Sequence, residues 1–433
     1  MRLHRFWVAT LAILYPLSFN LFAESPGTSP ASGYKVIYSF NGTSDGAMPV
    51  SDLTFDAEGN LYGTTSAGGT YGYGTVFELK HAGDSWQEEV LYSFTGGSDG
   101  GYPEAGVIFD SQGSLYGTTS GATTCGNVFM LTPNSHGGWA ESVLYTFTCE
   151  DDGASPQTDL TFDAKGNLFG ANLGGSLRFG CGRTCGSVFE LVPQAKGAWK
   201  EATLYTFDGP PNGGLPSSPV ALDSSGNVWG TTTAGGTGSC HVSAYTGGCG
   251  IVYELTHGSD GNWTENIVYN FIRGGGNAVT PSGGFTLVDD NHILATSLAG
   301  GDGLGAVFEL NKSKKGWEQN VLYSFYGSYY HGPDGELPVG RLEADSAGGL
   351  FGVTHYGGKN GLGTLFELDA SKTTGWTEKV LHNFAGGSDG SYPAAGVVVD
   401  SQGHLYGTTS EGGTGTACGS YGCGAVYEIT IGQ

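Results

Sequence analysis

The stretch Leu53-Thr54-Phe55-Asp56-Ala57-Glu58-Gly59-Asn60-Leu61-Tyr62-Gly63-Thr64-Thr65 decides how the whole chain is read. Its apolar positions alternate on both sides of a short turn, as in two antiparallel strands. The second half recurs with its first residue at Leu115, Leu168, Val228, Ile293, Leu350 and Leu405, so seven copies follow one another at spacings of 53 to 65 residues. A third strand follows in each copy: Val76-Phe77, Val128-Phe129, Val188-Phe189, Val252-Tyr253, Val307-Phe308, Leu365-Phe366 and Val426-Tyr427. A fourth begins at Trp86 and runs through Val90-Leu91-Tyr92-Ser93-Phe94, and its tryptophan returns at Trp139, Trp199, Trp263, Trp317 and Trp376.

Four short strands per unit is the plan of a propeller blade. The seventh copy stops after its third strand, Val426-Tyr427-Glu428-Ile429. Its missing fourth strand matches Val36-Ile37-Tyr38-Ser39-Phe40, which precedes the first copy. The expected fold is therefore all-β: a seven-bladed β-propeller with four antiparallel strands per blade, closed by the N-terminal strand completing the last blade. An open solenoid would leave both ends uncapped. At 433 residues the chain exceeds one ordinary core, but repeats need only their neighbours for burial. The 79 glycines suit tight turns and oppose helices.

Ahead of the repeats, Arg2 and Arg5 precede an apolar run from Phe6 to Phe22 that ends at Ala23. This reads as a signal peptide over 1–23, followed by a short linker over 24–33 and one propeller domain over 34–433. A retained anchor is the competing reading, opposed by Pro16, Ser18 and Asn20 inside the run. The expected location is extracellular or periplasmic. With a net charge of −24 the chain repels phosphate backbones, so nucleic acid is not an expected partner. A monomer is expected.

Most recurring residues read as structural. Asp56, Asp110, Asp163, Asp223, Asp345 and Asp400 each stand three residues before a glycine, where a carboxylate accepts backbone N–H groups across a turn. One carboxylate per turn is too few for calcium. The glycine after the second-strand aromatic (Gly63 and its equivalents) is expected to admit an aromatic ring of the next blade. Asp45-Gly46 with Pro49, repeated as Asp99-Gly100 with Pro103 and Asp389-Gly390 with Pro393, reads as an inter-blade turn.

The succession Leu-Tyr-Ser-Phe, Gly-Gly-Ser-Asp-Gly-x-x-Pro, Asp-x-x-Gly-Asn-Leu-Tyr-Gly-Thr-Thr and Gly-Thr-Val-Phe-Glu-Leu resembles the GloVer (Gloeo/Verruco) tandem repeat of bacterial secreted proteins, over residues 34 to 431. The fifth copy departs most, at Asn291-His292-Ile293-Leu294-Ala295-Thr296-Ser297. The resemblance implies a secreted propeller and carries no activity. Family members often have a C-terminal sorting segment, and its lack after Gln433 favours a freely exported product.

All eight cysteines fall in loops expected on one face of the ring. Proximity suggests pairing Cys125 with Cys149, Cys181 with Cys185, Cys240 with Cys249 and Cys418 with Cys423. Zinc at Cys181, Cys185 and His241 is the rival, but no Cys-x-x-Cys knuckle occurs. No metal and no cofactor is expected.

Departures from the repeat gather in blade six: Tyr329, Tyr330 and His331 before it, Arg341 and Glu343 on its inner strand, His355 and Lys359 after its second strand. Arg273 is a further odd cation before blade five. A charge pair steadying the channel mouth, Arg341 with Glu343 or an aspartate, is the structural reading. The functional reading makes His331, Arg341, Glu343 and His355 catalytic candidates and Arg273, Tyr329, Tyr330 and Lys359 ligand-binding ones. No serine-hydrolase elbow, zincin helix, phosphate loop or dinucleotide fingerprint is present. The leading expectation is an exported, non-enzymatic binding propeller recognising an extracellular polysaccharide or a protein, with loop tyrosines (Tyr71, Tyr73, Tyr102, Tyr245, Tyr329, Tyr330, Tyr392) as stacking groups. The alternatives are a carbohydrate-active enzyme, lyase or glycosidase, with its site near blade six, and a structural surface protein.

Overall fold

The computed structural model describes residues 33–83, 85–174, 185–240, 247–327, 333–345, 348–371 and 375–431. Seven antiparallel sheets are present among them, each built around the expected second, third and fourth strands. Blade 1 comprises Thr54–Phe55, Leu61–Thr65, Thr75–Ala82 and Ser85–Ser93. Blade 7 comprises Val398–Val399, His404–Thr409 and Ala425–Thr430, with the N-terminal strand Tyr34–Ser39 as its outer edge. That edge pairs Tyr34 with Ile429, Val36 with Tyr427 and Ser39 with Ala425, so head and tail share a sheet. The register slip between Val36 and Tyr38 is the same bulge that separates the partners of Val76 and Phe77 in blade 1.

Seven aromatic pairs join the blades. The phenylalanine that ends each fourth strand meets the third-strand aromatic of the next blade: Phe40 with Phe77, Phe94 with Phe129, Phe147 with Phe189, Phe207 with Tyr253, Phe271 with Phe308, Phe325 with Phe366 and Phe384 with Tyr427. Centroid separations run from 4.9 Å to 5.5 Å at steep interplanar angles, a geometry worth about 0.5–1.5 kcal/mol per pair beyond burial. The second-strand glycine serves these rings differently from expectation. Gly63 pairs across the sheet with Phe77, and a Cβ on it would stand 2.8 Å from that ring. The aromatic it accommodates thus belongs to its own blade.

The turn aspartates behave as expected. Asp56 Oδ1 accepts the backbone N–H groups of Glu58 and Asn60, both at 2.9 Å, and Oδ2 accepts the Tyr62 hydroxyl at 3.2 Å. Although burial opposes it, these bonds hold Asp56 below the usual carboxylate range, as the matching bonds hold Asp223 and Asp400.

The inter-blade connection is more than a turn. Its exit re-enters the sheet as the upper half of the innermost strand, as at Ala154–Pro156, Gly213–Pro216 and Ala278–Pro281. In blade six the two halves merge into one strand, Gly335–Ala344.

Candidate functional site

The residue before the proline in each connection has a positive φ: Met48, Tyr102, Ser155, Leu215, Thr280, Leu337 and Tyr392, all between 54° and 57°. Non-glycine residues rarely adopt this region, at a cost of order 1–3 kcal/mol. The compensation is the same seven times. Each N–H donates to a carbonyl in the loop between strands two and three of the preceding blade, as Tyr102 does to Tyr73 at 2.8 Å and Tyr392 to Leu362 at 2.9 Å. Each following proline packs on the glycine that starts that blade's third strand, as Pro103 does on Gly74. The connections are thereby fixed as rigid walls around the loop face.

Four of the seven carbonyl-bearing residues are cysteines: Cys125, Cys185, Cys249 and Cys423 accept from Ser155, Leu215, Thr280 and Met48. Disulfides join Cys125 to Cys149, Cys240 to Cys249 and Cys418 to Cys423. Cys185 is also oxidised, while Cys181 and His241 lie outside the described residues. The other three blades place Tyr73, Leu304 and Leu362 at this position. The Tyr73 ring covers Gly96, the repeat equivalent of Cys149, so an aromatic plug replaces a disulfide there.

At the axis, inner strands from blades one, three and six converge. Asp52 Oδ1 accepts the Gly396 N–H at 2.6 Å, and Asp159 Oδ1 accepts that of Gly106 at 2.7 Å. Arg341 reaches Asp52 Oδ2 at 3.9 Å and interacts electrostatically with Asp159 and Glu343. Contact between alternate and opposite blades is possible only at the centre of the ring. Burial, with the Asp52 charge, pushes Asp159 up to about 6. Burial likewise pushes Glu104, hydrogen-bonded to Gln157, up to about 7. The charge pairing foreseen for Arg341 is thus formed.

His355 stands apart from that cluster. Its Nδ1–H donates to the Pro393 carbonyl at 2.9 Å, and burial holds its imidazole below the usual histidine range. Its ring contacts Tyr356 at 4.5 Å and Tyr392 at 5.6 Å, and those two tyrosines lie 5.4 Å apart. Tyr356 is 40% exposed and Tyr421, within electrostatic reach of Tyr392, is 67% exposed. Glu411, raised by burial, acts on both Tyr356 and Tyr392. Rings and one carboxylate therefore assemble at the junction of blades six and seven.

Of the sequence candidates, Arg341 and Glu343 meet at the axis and His355 joins the tyrosine patch; no contact links the two groups among the described residues. Lys359 lies in the loop after Tyr356, its N–H bonded to Asn383. Arg273 is exposed in its loop. Tyr329, Tyr330, His331 and Tyr245 lie outside the described residues. Tyr73 and Tyr102 pack on each other at 5.5 Å, while Tyr71 is 57% exposed. Tyr356 and Tyr421 are members of the patch that the sequence reading does not single out. Aligning the repeats finds Tyr356, because it replaces the small Ala67 of blade 1.

Among the described residues no cluster of three or more histidine, cysteine or acidic side chains is placed to hold a metal ion. No helix among them is long and apolar enough to cross a membrane.

The profile described as the Gloeobacter/Verrucomicrobia repeat matches residues 26–244 and 239–433. No curated protein sequence matches. Among solved structures, the chain is similar to that of a putative oxidoreductase (glucose dehydrogenase) from Thermus thermophilus, at 13% identity over 92% of this chain and 99% of that one, with a TM-score of 0.39.

Proposed function

Because the chain belongs to the Gloeobacter/Verrucomicrobia repeat family over nearly its whole length, we propose that it is an exported binding propeller that recognises an extracellular polysaccharide at its loop face. Export agrees with the disulfides, which persist in an oxidising compartment such as the periplasm or the exterior.

The observation that carries the reading is the tyrosine patch between blades six and seven. Sugar rings present apolar C–H faces edged by hydroxyls. Exposed phenols offer a flat apolar surface with a polar tip, and Glu411 supplies an acceptor for hydroxyl donors. The wall beneath is stiff, because Tyr392 is locked by its backbone bond to Leu362 and by Pro393 against Gly363. Rigid platforms lose little entropy on binding. The catalytic alternative gains less from this geometry: the Nδ1 of His355 is engaged by Pro393, and Arg341 is held at the axis by Asp52.

Affinity electrophoresis in gels cast with neutral polysaccharides tests the proposal. Retardation of the wild type, relieved in Tyr356→Ala and Tyr421→Ala, is expected. Equal mobility of the wild type in all polysaccharides, or retardation unchanged in both variants, overturns it.

A further inference from the structure

A second place on the loop face departs from the repeat in a way that calls for a ligand. An open cleft of about 630 Å³ lies between the connection entering blade 1 and the outer strand of that blade. Asp45, Glu88 and Tyr71 line it, together with the hydroxyl-bearing Ser44, Thr70 and Ser93.

The aspartate of the inter-blade connection has a regular partner set. One oxygen accepts the fourth-strand tyrosine hydroxyl, as in Tyr38 to Asp45 at 3.0 Å, Tyr92 to Asp99 at 3.1 Å and Tyr145 to Asp152 at 3.0 Å. In the connections into blades two, three and six the second oxygen is also occupied, while those into blades four and five carry Asn212 and Asn277 instead of an aspartate. Asp99 Oδ1 accepts the Thr95 hydroxyl, Asp152 Oδ1 that of Thr148, and Asp334 Oδ1 the Gly327 N–H. At Asp45 the pattern fails. Asn41 stands where Thr95 and Thr148 stand, and its N–H and its amide both go to Oδ2, at 2.7 Å and 3.1 Å. Asp45 is only 7% exposed, and its Oδ1 has no partner.

Glu88 faces it. Its Oε2 lies 3.5 Å from the Tyr38 hydroxyl, and its buried Oε1 has no partner, as at the equivalent Glu141, Glu265 and Glu378. Burial and the Asp45 charge push this carboxyl up to about 7, as burial with Asp99 and Asp334 does its repeat equivalents Glu141 and Glu378, so Asp45 is what sets this cleft apart. Neither carboxylate pairs with a lysine, arginine or histidine among the described residues; the nearby Lys80 is taken by Glu78 and Glu89. Leaving buried oxygens unpaired is costly, so a bound donor would recover that energy. At the edge of the cleft stands Tyr71, with its ring 57% exposed.

Two acceptors without donors, an exposed aromatic ring and a wall of hydroxyls match one chemistry: a protonated amine carried on a sugar. The ammonium has three N–H donors for Asp45 Oδ1 and Glu88 Oε1, the Tyr71 ring meets the sugar face or the cation, and the hydroxyls meet those of the sugar. We propose that this cleft is a binding site for an amino sugar with a free amino group. It stands on residues distinct from the patch at blades six and seven, so either can fail alone.

Isothermal titration of the folded protein with a glucosamine tetrasaccharide tests the assignment, with the N-acetylated tetrasaccharide and calcium chloride as comparison probes. The free amine is expected to bind at least about tenfold more tightly than the acetylated sugar, as an ammonium held by two carboxylates requires. Tyr71→Ala and Asp45→Asn should each lose about tenfold or more. Asn41→Thr is the sharper variant, because it restores the hydroxyl that fills this position in blades two and three without disturbing the fold. It should weaken binding while the melting temperature holds or rises. Tyr421→Ala should leave this affinity unchanged. Equal affinity for the acetylated sugar, binding indifferent to Asn41→Thr, or uptake of calcium without uptake of the amine overturns the proposal.

Discussion

The hydroxyl of Tyr427 is buried directly over Gly407, where a Cβ on that glycine would collide with it, and it has no hydrogen-bond partner. Tyr253 sits over Gly230 in the same way. Five other blades solve the same packing problem with phenylalanine. Tyr253→Phe and Tyr427→Phe should therefore each stabilise the fold, by about 1 kcal/mol, since an unsatisfied buried hydroxyl is removed and the ring kept. Gly407→Ala should cost more than about 3 kcal/mol, because the hydroxyl has no space to retreat. Chemical denaturation of the three variants checks both signs.

Closure of the ring rests on aromatic contact more than on charge. Tyr34 stacks on His382 at 3.7 Å and donates its hydroxyl to the Asp389 carbonyl. The neighbouring Lys35 pairs with Glu428 at 2.9 Å while remaining more than half exposed. Tyr34→Ala should cost about 3 kcal/mol and Lys35→Ala less than about 1 kcal/mol. Comparable losses in the two variants would contradict this ranking.

The buried carboxyls of the inner strands favour the fold at mildly acidic pH. Glu104 is pushed up to about 7 and Asp159 to about 6, chiefly by burial, so the folded state binds protons that the unfolded chain has released. Stability is then highest below about pH 4.5 for these groups and falls as pH rises towards 7. Glu104→Gln should show no gain at about pH 4.5 and a gain of roughly 1–3 kcal/mol at about pH 7.5. Urea denaturation across that range reads the difference directly.

Tyr73 and Gly96 occupy the repeat positions of Cys125 and Cys149. Both Gly96 and Cys149 have positive φ, at 73° and 63°. The double variant Tyr73→Cys with Gly96→Cys should form a further disulfide, whose closed loop is worth about 3.5 kcal/mol relative to its own reduced form. Thiol titration and melting with and without reductant check it. Two free thiols after oxidation would show that the blades are not interchangeable here.

Strand periodicity makes most of this fold legible. The hydrophobic alternation at Leu61–Thr65 and Val76–Phe77 is local, so it locates the strands and the shared blade. The ring that Gly63 admits lies in its own blade and not the next, because cross-strand register, Gly63 opposite Phe77, does not show in spacing. Arg341 is recognisable as odd, and its pairing with Asp52 follows from ring closure. The Tyr356 patch and the open oxygen of Asp45 escape for another reason: each arises from a replacement, Tyr356 where blade one has Ala67, and Asn41 where Thr95 and Thr148 stand. Such replacements appear only when copies are superposed.

The seam between Tyr34–Ser39 and Ala425–Thr430 also imposes an order on assembly. Whichever direction the polypeptide emerges, six sheets have all their strands in one continuous run, while the seventh waits for both extremities. Until then the first strand is a raw, pairing-competent ribbon, and a second copy could supply its complement as readily as the chain's own tail. Exchange of that ribbon between copies would yield linked dimers with every sheet intact, so dilution during refolding should favour the single closed ring.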